Sequence, residues 1–323
     1  MSEADPSPAA VPTLPVVRIA TRRSALALTQ TRQTRDALLA SLGIRADADR
    51  AAPLLEVVTT GDRIQDRRLM EAGGKALFTK EIEAALLERR ADLAVHSMKD
   101  MPADQPPGLV ICAVPVREDA RDALVSRRYG SVEALPRGAR VGTASLRRQA
   151  QLLNLRPDLE VGLLRGNVDT RLRRLEAGEF EAIILAAAGL RRLGLEARIT
   201  ALLDPEVFVP APGQGALALQ CRSEDAGQDW AGALDHDATA LCVAAERGAM
   251  RALEGSCRTA IGAHGVIEEG VLHLTVEALN PDGAMRWRRR ASMDMGTRDQ
   301  AEAMGLDLGQ AVRRDAGNDL VLA

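Results

Sequence analysis

Short apolar runs that alternate with helix-forming segments are the feature that most constrains the fold of this 323-residue chain. Apolar runs at 139–143, 160–164 and 180–186 are separated by segments with helical spacing that begin near Ser145 and Val168. This strand–helix order favours a mostly parallel sheet, whose ligands bind at the carboxyl ends of the strands. The sequence therefore predicts an α/β protein whose functional groups follow its strands.

The same order appears earlier in the chain, and a different one appears at its end. Strands are predicted at 16–20, 54–60, 92–95 and 109–114, with one helix from Ser24 to about residue 42 and another from Thr79. Strands at 264–267, 271–278 and 284–293, with a helix at 298–314, follow a long amphipathic helix at 235–253 and predict a small α+β unit. Turn-rich segments at 115–122 and 209–219 predict two crossings between domains.

Composition excludes several classes of function. The net charge is −3 and only six residues are aromatic, which argues against general nucleic-acid binding. The four cysteines and four histidines show no metal-binding spacing, so we expect neither zinc nor disulfides. No apolar run approaches the roughly 18 residues that a membrane helix needs. Residues 1–15 are rich in Pro and Ala and lack the pattern of a signal peptide, so we expect a disordered tail and a cytoplasmic protein.

The segment AVHSMKDMP (94–102) places a cluster of polar groups directly after a buried strand. It contains Lys99 and Asp100, and the chain has only two other lysines, Lys75 and Lys80, among its 42 basic residues. A lysine offers a compact charge that a guanidinium fork cannot replace. An isolated Lys–Asp pair in a loop is usually solvated, but the restriction of lysine to positions 75–99 indicates a functional site there.

Basic residues at the starts of predicted helices indicate binding of anions. Arg22 precedes the helix that Ser24 caps, and Thr143 and Ser145 precede Arg147 and Arg148. Arg165 precedes a Gly-Asn turn, with Arg171 beyond it. Basic groups in a first turn oppose the helix dipole unless an anion lies there. We therefore predict a ligand with several carboxylates or phosphates, and we interpret Arg173 and Arg174 as solvated.

Two loops complete the candidate site. The segment 61–80 is long and has little periodicity, which predicts a mobile flap that carries Asp62, Lys75, Phe78 and Lys80. Cys257 lies in a Gly-flanked loop beside Arg258, an environment that favours an accessible thiolate. The other cysteines, Cys112, Cys221 and Cys242, lie in apolar runs and are interpreted as packing residues.

Seven motifs, taken in order and spacing, resemble the porphobilinogen deaminase (hydroxymethylbilane synthase) family. They are IATRRSALAL, GGKALFTKEIE, AVHSMKDMP, VGTASLRRQ, LRGNVDTRL, PAPGQGAL and LEGSC. The resemblance extends from about residue 16 to the end of the chain.

The resemblance implies an enzyme that joins four porphobilinogen molecules head to tail, with loss of ammonia, to give hydroxymethylbilane for tetrapyrrole (haem and chlorophyll) biosynthesis. It implies a dipyrromethane cofactor held by a thioether to Cys257, and a central catalytic role for Asp100. The residues that match the family's contacts to cofactor and substrate carboxylates are Arg22, Ser24, Lys99, Thr143, Ser145, Arg147, Arg148, Arg165 and Arg171.

The resemblance also implies two α/β domains of the periplasmic-binding-protein type that flank a cleft, a third α+β domain that carries the cysteine, and a monomer. With the crossings above, it assigns residues 16–116 and 214–234 to domain 1, 117–213 to domain 2 and 235–323 to domain 3. Ala144, Asp169 and Ala260 depart from the usual family pattern and remove no catalytic group. We expect them to affect only affinity and the stiffness of the cysteine loop.

Two other interpretations remain open from the residues alone. A two-domain anion receptor would use the same sheets and arginines without turnover, but it needs no exposed Cys257. A binder of RNA or phosphate polymers would use the arginines between Arg140 and Arg174, and its affinity would fall steeply with salt.

Overall fold

A computed structural model describes residues 16–63, 77–253 and 260–320 of the chain. Two five-stranded sheets and one three-stranded sheet form its framework. No helix among these described residues is both long and apolar enough to cross a lipid bilayer.

The first sheet has the strand order β2-β1-β3-β10-β4. Its strands are β1 (Ile19–Arg22), β2 (Leu54–Val57), β3 (Leu93–Ser97), β4 (Leu109–Ala113) and β10 (Leu217–Arg222). β1, β2 and β3 are parallel, and β10 runs antiparallel to β3 and to β4. The helices that accompany it are α1 (Ala25–Ser41), α2 (Ala48–Ala51), α3 (Thr60–Arg63), α4 (Lys80–Leu87) and α8 (Asp229–Gly232).

The second sheet repeats this plan with the order β7-β6-β8-β5-β9. Its strands are β5 (Asp122–Ser126), β6 (Arg140–Thr143), β7 (Glu160–Leu163), β8 (Ala182–Ala186) and β9 (Ala201–Leu202), with helices α5 (Leu146–Leu155), α6 (Val168–Glu176) and α7 (Ala187–Arg192). β6, β7 and β8 are parallel, and β5 is antiparallel to both of its neighbours.

The third sheet is an antiparallel meander of β11 (Ala260–Glu268), β12 (Val271–Leu279) and β13 (Arg286–Asp294). Two long helices, α9 (Asp237–Ala252) and α10 (Arg298–Ala316), pack together against it and bury a core of its own. Gly305 permits this close approach, because a Cβ there would lie 1.9 Å from the carbonyl oxygen of Ala245.

The predicted mostly parallel sheets are confirmed, but each contains one reversed strand. β5 was not predicted; Asp122 is its first residue and not part of the crossing. β10 and β5 each follow a crossing, and each begins at the carboxyl edge of a parallel strand, because Leu217 pairs with Ser97 and Asp122 pairs with Ala186. Both crossings therefore bring side chains to the edges where ligands of such sheets bind. The predicted tail, residues 1–15, lies outside the described residues.

Candidate active site

The candidate active site is built around a short 3₁₀ turn, Met98–Asp100, at the carboxyl end of β3. The Met98 amide donates to the Ala216 carbonyl oxygen at 3.0 Å, and the Met101 amide closes the turn on the Met98 carbonyl oxygen at 3.0 Å. The Met98 side chain is buried in an apolar cluster while the Asp100 side chain remains 30% exposed. The turn thus presents the carboxylate from a fixed base.

Arg22, at the end of β1, lies between two carboxylates. Its guanidinium donates to Asp62 through two nitrogens, and it lies 4.0 Å from the Asp100 carboxylate. The Phe78 ring covers it, with 4.2 Å between the guanidinium carbon and the ring centroid. Ser24 caps α1, as predicted, by accepting a hydrogen bond from the Ala27 amide.

Two of the residues assigned to the mobile flap, Asp62 and Phe78, make close contacts in the structure, and the mobility of the flap stays a prediction. The Thr59 hydroxyl donates to Asp62 at 2.7 Å, and hydrogen bonds from Arg22 and Thr59 lower the pKa of Asp62 although burial opposes this. Gly61 admits the Phe78 ring, because a Cβ at Gly61 would lie 2.2 Å from a ring carbon. Lys80 is exposed at the first position of α4, and Lys75 lies outside the described residues.

Arg147 and Arg148, in the first turn of α5, are both nearly buried and both bind Asp122. The distances to its two carboxylate oxygens are 2.8 Å for Arg147 and 2.7 Å for Arg148. The two guanidiniums lower the pKa of Asp122 to about 2 against the effect of burial. A carboxylate of the chain itself therefore already lies beside these arginines, and the prediction that they also bind an anionic ligand stays a prediction.

Thr143 and Ser145 connect the end of β6 to α5. The Ser145 amide donates to the Thr143 hydroxyl at 3.1 Å, and the Ser145 hydroxyl caps α5 by accepting from the Arg148 amide. Thr143 is buried, while Ser145 is half-buried beside the arginine pair. Ala144, which departs from the family pattern, lies between them without a hydroxyl.

Gln214, in the second crossing, connects the two sheets. Its side-chain oxygen accepts from Lys99 and from Arg148, each at 3.3 Å. Its amide nitrogen donates to Asp122 at 3.0 Å and to the Ala120 carbonyl at 2.7 Å. A single buried amide thus links the lysine beside Asp100 to the arginine cluster of the second sheet.

Arg165 and Arg171 flank the start of α6. The Arg171 guanidinium donates to the Gly166 carbonyl at 2.8 Å, and burial, followed by the charges of Arg148 and Arg165, lowers its pKa to about 10. Asp169, the second departure, is turned to solvent and pairs with the exposed Arg173. The prediction that Arg173 is solvated is confirmed; Arg174 pairs with Glu179 and covers the Phe180 ring.

Lys99 and Arg171 differ from Arg22, Arg147 and Arg148, which have carboxylate partners within the chain. Among the described residues, no carboxylate lies within salt-bridge distance of either group, and both are half-buried. Burial, with the charges of Arg148 and Arg147, lowers the pKa of Lys99 to about 8. Partly buried cations of this kind are stabilised by an anion, so these two positions fit a ligand with carboxylate groups.

His96 is part of the conspicuous polar cluster but is not part of this site. It is buried, its Nε2 lies 3.1 Å from the Gln220 side-chain oxygen, and burial lowers its pKa to about 4. It is therefore neutral at physiological pH. We assign it to packing and hydrogen bonding between β3 and β10 of the first sheet.

Sequence reasoning missed Asp122 and Gln214 as members of the site. Asp122 was placed in a polar crossing, and Gln214 stood in the motif PAPGQGAL without a role. The short apolar run after Asp122 (ALV) offered one sign that a strand begins there. The contact of Asp122 with two arginines of α5 depends on the reversed direction of β5, and nothing in the sequence near Asp122 indicates it.

Cys257 and its loop lie outside the described residues, 254–259 being the gap. Cys221 and Cys242 are buried and Cys112 is half-buried, as expected of packing residues. Within the described ranges, His, Cys, Asp and Glu side chains form no cluster suited to a metal ion. Ala260, the third departure, is the buried first residue of β11.

Comparison with protein families gives two matches that together cover most of the chain. Residues 17–229 match the porphobilinogen deaminase dipyrromethane cofactor binding domain, and residues 240–314 match the porphobilinogen deaminase C-terminal domain. A porphobilinogen deaminase of Phenylobacterium zucineum is 56% identical over 97% of this chain and 100% of that protein. One from Caulobacter vibrioides is 54% identical over 95% of this chain and 98% of that protein.

Solved structures are similar at a much lower level. A nutrient-binding protein from Burkholderia cenocepacia bound to methionine is 14% identical, with a TM-score of 0.42 over 67% of this chain and 88% of that chain. A periplasmic substrate-binding protein from Coxiella burnetii is 12% identical, also with a TM-score of 0.42, over 66% of this chain and 88% of that chain. At this level the similarity carries no argument about function.

Proposed function

Because the chain belongs to the porphobilinogen deaminase family, we propose that Asp100 is its catalytic carboxylate and that the cations around it hold pyrrole carboxylates. The chain is a transferase that joins four porphobilinogen molecules into hydroxymethylbilane in tetrapyrrole biosynthesis, and it uses a dipyrromethane cofactor.

The position of Asp100 among cations of both sheets is the observation that carries the proposal. Arg22 of the first sheet lies 4.0 Å from the Asp100 carboxylate. Asp100 also raises the pKa values of Lys99 and of Arg171, the latter in the second sheet, against the lowering by burial. The Asp100 carboxylate therefore lies among positive charges that belong to both sheets, and we place the anionic pyrrole between those charges.

The reaction itself explains why a carboxylate is needed. The C–N bond of the aminomethyl group breaks, ammonia leaves, and a cationic methylene-pyrrole remains. The α carbon of a second pyrrole attacks the methylene carbon, and the new C–C bond forms before that α carbon loses its proton. Asp100 stabilises the cation electrostatically and accepts the proton as a general base.

The remaining site residues bind and orient the carboxylates of the pyrroles. We assign this role to Arg22, Ser24, Lys99, Thr143, Ser145, Arg147, Arg148, Arg165 and Arg171. Arg147 and Arg148 share Asp122, so that cluster has one net positive charge and attracts a further carboxylate while Asp122 keeps both guanidiniums in place. Lys99 and Arg171, without a carboxylate partner of their own among the described residues, fit the cofactor and substrate best.

The dipyrromethane cofactor, when bound, supplies the pyrrole α carbon on which the chain starts. We assign its attachment to Cys257 by position in the motif LEGSC. Asp62 and Phe78 hold Arg22 in place beside Asp100, while we assign Lys75 and Lys80 to the flap over the site.

We further propose that the three sheets correspond to three domains, 16–116 with 214–234, 117–213, and 235–323, in a cytoplasmic monomer. The separate apolar cores of the sheets support this division. Sedimentation equilibrium of the purified protein tests the monomer.

Replacement of Asp100 by Asn tests the catalytic assignment. The amide keeps the shape but has neither the charge nor the basicity of the carboxylate, so we expect kcat to fall by about 10² to 10⁴. The intact mass should still include the cofactor, and it should lose that excess in Cys257→Ala. Asp169→Asn, which changes an exposed acid in the first turn of α6, is the control and should leave kcat unchanged. Near-normal turnover of Asp100→Asn would remove Asp100 from the mechanism.

A further inference from the structure

We propose that Arg247, on the helix α9 that packs against the third sheet, is a positioning residue that holds the turn bearing Asp100. This inference rests on the proposed catalytic role of Asp100. Arg247 itself is outside the set of carboxylate-binding cations described above, since its guanidinium is directed at backbone carbonyls that follow the turn and at the Met98 side chain.

The contacts of Arg247 lie before and after Asp100 in the chain. One guanidinium nitrogen donates to the Pro102 carbonyl at 2.8 Å and to the Ala103 carbonyl at 2.7 Å. The other lies 3.8 Å from the Met98 sulfur. The guanidinium therefore bridges the first residue of the 3₁₀ turn and the segment that follows it.

The surroundings of Arg247 indicate that these contacts are specific. It is half-buried, and none of the carboxylates in the described ranges lies within salt-bridge distance of it. Burial lowers its pKa to about 10, so the protein tolerates a partly desolvated cation whose direct partners are carbonyl oxygens. An apolar side chain could pack α9 against the loop without the free-energy cost of burying a charge.

The rest of α9 supports the same turn by packing. Ala240 and Val243 join Met98, Met101 and Ala216 in one buried cluster. The apolar contacts hold the turn against α9 but allow it to slide along the helix surface. The two hydrogen bonds from Arg247 to the Pro102 and Ala103 carbonyls prevent that sliding. The carboxylate of Asp100, 30% exposed, has few restraints of its own and depends on that backbone.

Arg251, one turn further along α9, provides the matched control. It reaches the same segment, but mainly through side chains, since it pairs with Asp104 at 3.1 Å and with Glu302. It is 42% exposed, and exposed pairs contribute little to stability. Arg251→Gln removes a positive charge from the same helix and interface without releasing the turn.

The test compares Arg247→Gln, Arg247→Lys and Arg251→Gln in steady-state turnover of porphobilinogen. A displacement of a catalytic group by about 1 Å costs on the order of 10²-fold in rate, so we expect kcat of Arg247→Gln to fall about 10- to 100-fold. KM should change by less than about threefold, because the carboxylate-binding cations are untouched. Arg247→Lys retains a cation but not the fork, and its kcat should be intermediate. Arg251→Gln should retain wild-type kcat.

A double-mutant cycle separates positioning from general loss of structure. In an Asp100→Glu background the carboxylate is already displaced by one methylene, so adding Arg247→Gln should cost kcat much less than it does in the wild type. Equal losses in both backgrounds would overturn the inference while leaving the role of Asp100 intact. A wild-type kcat for Asp100→Asn would instead refute the proposed function on which the inference rests.

Melting temperature and intact mass accompany every variant. If Arg247→Gln does not fold, Arg247→Lys takes its place in the cycle. A kcat within about twofold of wild type for a folded, cofactor-loaded Arg247 variant would overturn the proposal, since displacement of a catalytic group predicts a kcat of about a tenth of the wild-type value or less.

Discussion

Lys99 shows how position changes the chemistry of a single residue. Its Nζ donates to Gln214, it adjoins Asp100 in the chain, and it lies near Arg147, Arg148 and Asp122. Burial is the largest cause of its lowered pKa, about 8, and the two arginine charges add to it while Asp100 and Asp122 oppose it. The scarcity of lysine marked this residue in the sequence, but the lowered pKa depends on arginines that lie almost fifty positions away.

We expect kcat/KM to fall as the pH rises through about 8. The lowered pKa means that Lys99 in the free enzyme is charged below this pH and neutral above it, and only the charged form attracts a carboxylate. The measurement is the pH profile of kcat/KM, which reports groups of the free enzyme and free substrate.

Lys99→Arg is the control for this pH dependence. A guanidinium stays protonated across the range, so its profile should lack the fall near pH 8, whatever its absolute rate, whereas ionisation of porphobilinogen affects both proteins equally. Identical profiles for the two proteins would show that Lys99 does not titrate in binding.

At the scale of elements, the two reversed strands decide which side chains meet. β5 and β10 each begin at the carboxyl edge of a parallel strand, so Asp122 and the crossing with Gln214 arrive between the two sheets. The crossings also contact each other, because the Glu118 amide donates to the Gly215 carbonyl oxygen. Arg192 of α7 donates to the same oxygen at 2.8 Å. Gly215 has a φ of +85°, and a Cβ there would lie 2.2 Å from the Glu118 carbonyl oxygen.

Gly215→Ala should therefore lower the free energy of unfolding by about 2 kcal/mol or more, through backbone strain and separation of the crossings. Gly227→Ala is the matched control, since nothing lies within 4 Å of a Cβ at that position. Urea unfolding measures both. A loss no larger for Gly215 than for Gly227 would mean that the crossings can separate at little cost.

At the scale of the whole molecule, one buried carboxylate joins both crossings to the third sheet. Glu246, on α9, accepts from Arg117 of the first crossing at 2.7 Å, from the Gly213 amide of the second crossing at 2.6 Å and from the Gly265 amide of β11 at 2.8 Å. It is completely buried. Because the crossings carry Gln214 and lead to Asp122, the relative placement of the cations depends on this group.

We expect Glu246→Gln to cost about 3 to 5 kcal/mol of unfolding free energy, since it leaves the partly buried Arg117 without its counter-charge. Asp315→Asn, which breaks the exposed pair with Arg289, should cost less than about 1 kcal/mol. Urea denaturation of both variants is the measurement. Equally small losses of unfolding free energy in the two variants would show that Glu246 does not hold the crossings against the third sheet.

Much of the fold was readable from local pattern. Most parallel strands, the caps at Ser24 and Ser145, and the two long helices of the third part appear close to their predicted positions, because apolar periodicity and capping chemistry are local. β5 was missed because its short apolar run follows a polar segment without any helix between.

The sequence by itself determined the family and the chemistry, because ordered motifs such as AVHSMKDMP and VGTASLRRQ specify residue types at fixed spacing. Only the tertiary structure decided which charges are already paired. Arg22 is bound by Asp62, and Arg147 and Arg148 by Asp122, whereas Lys99 and Arg171 lack such a partner among the described residues. The reason is physical: pairing and desolvation depend on distances across two sheets and two crossings, and those distances are set by packing, not by spacing along the chain.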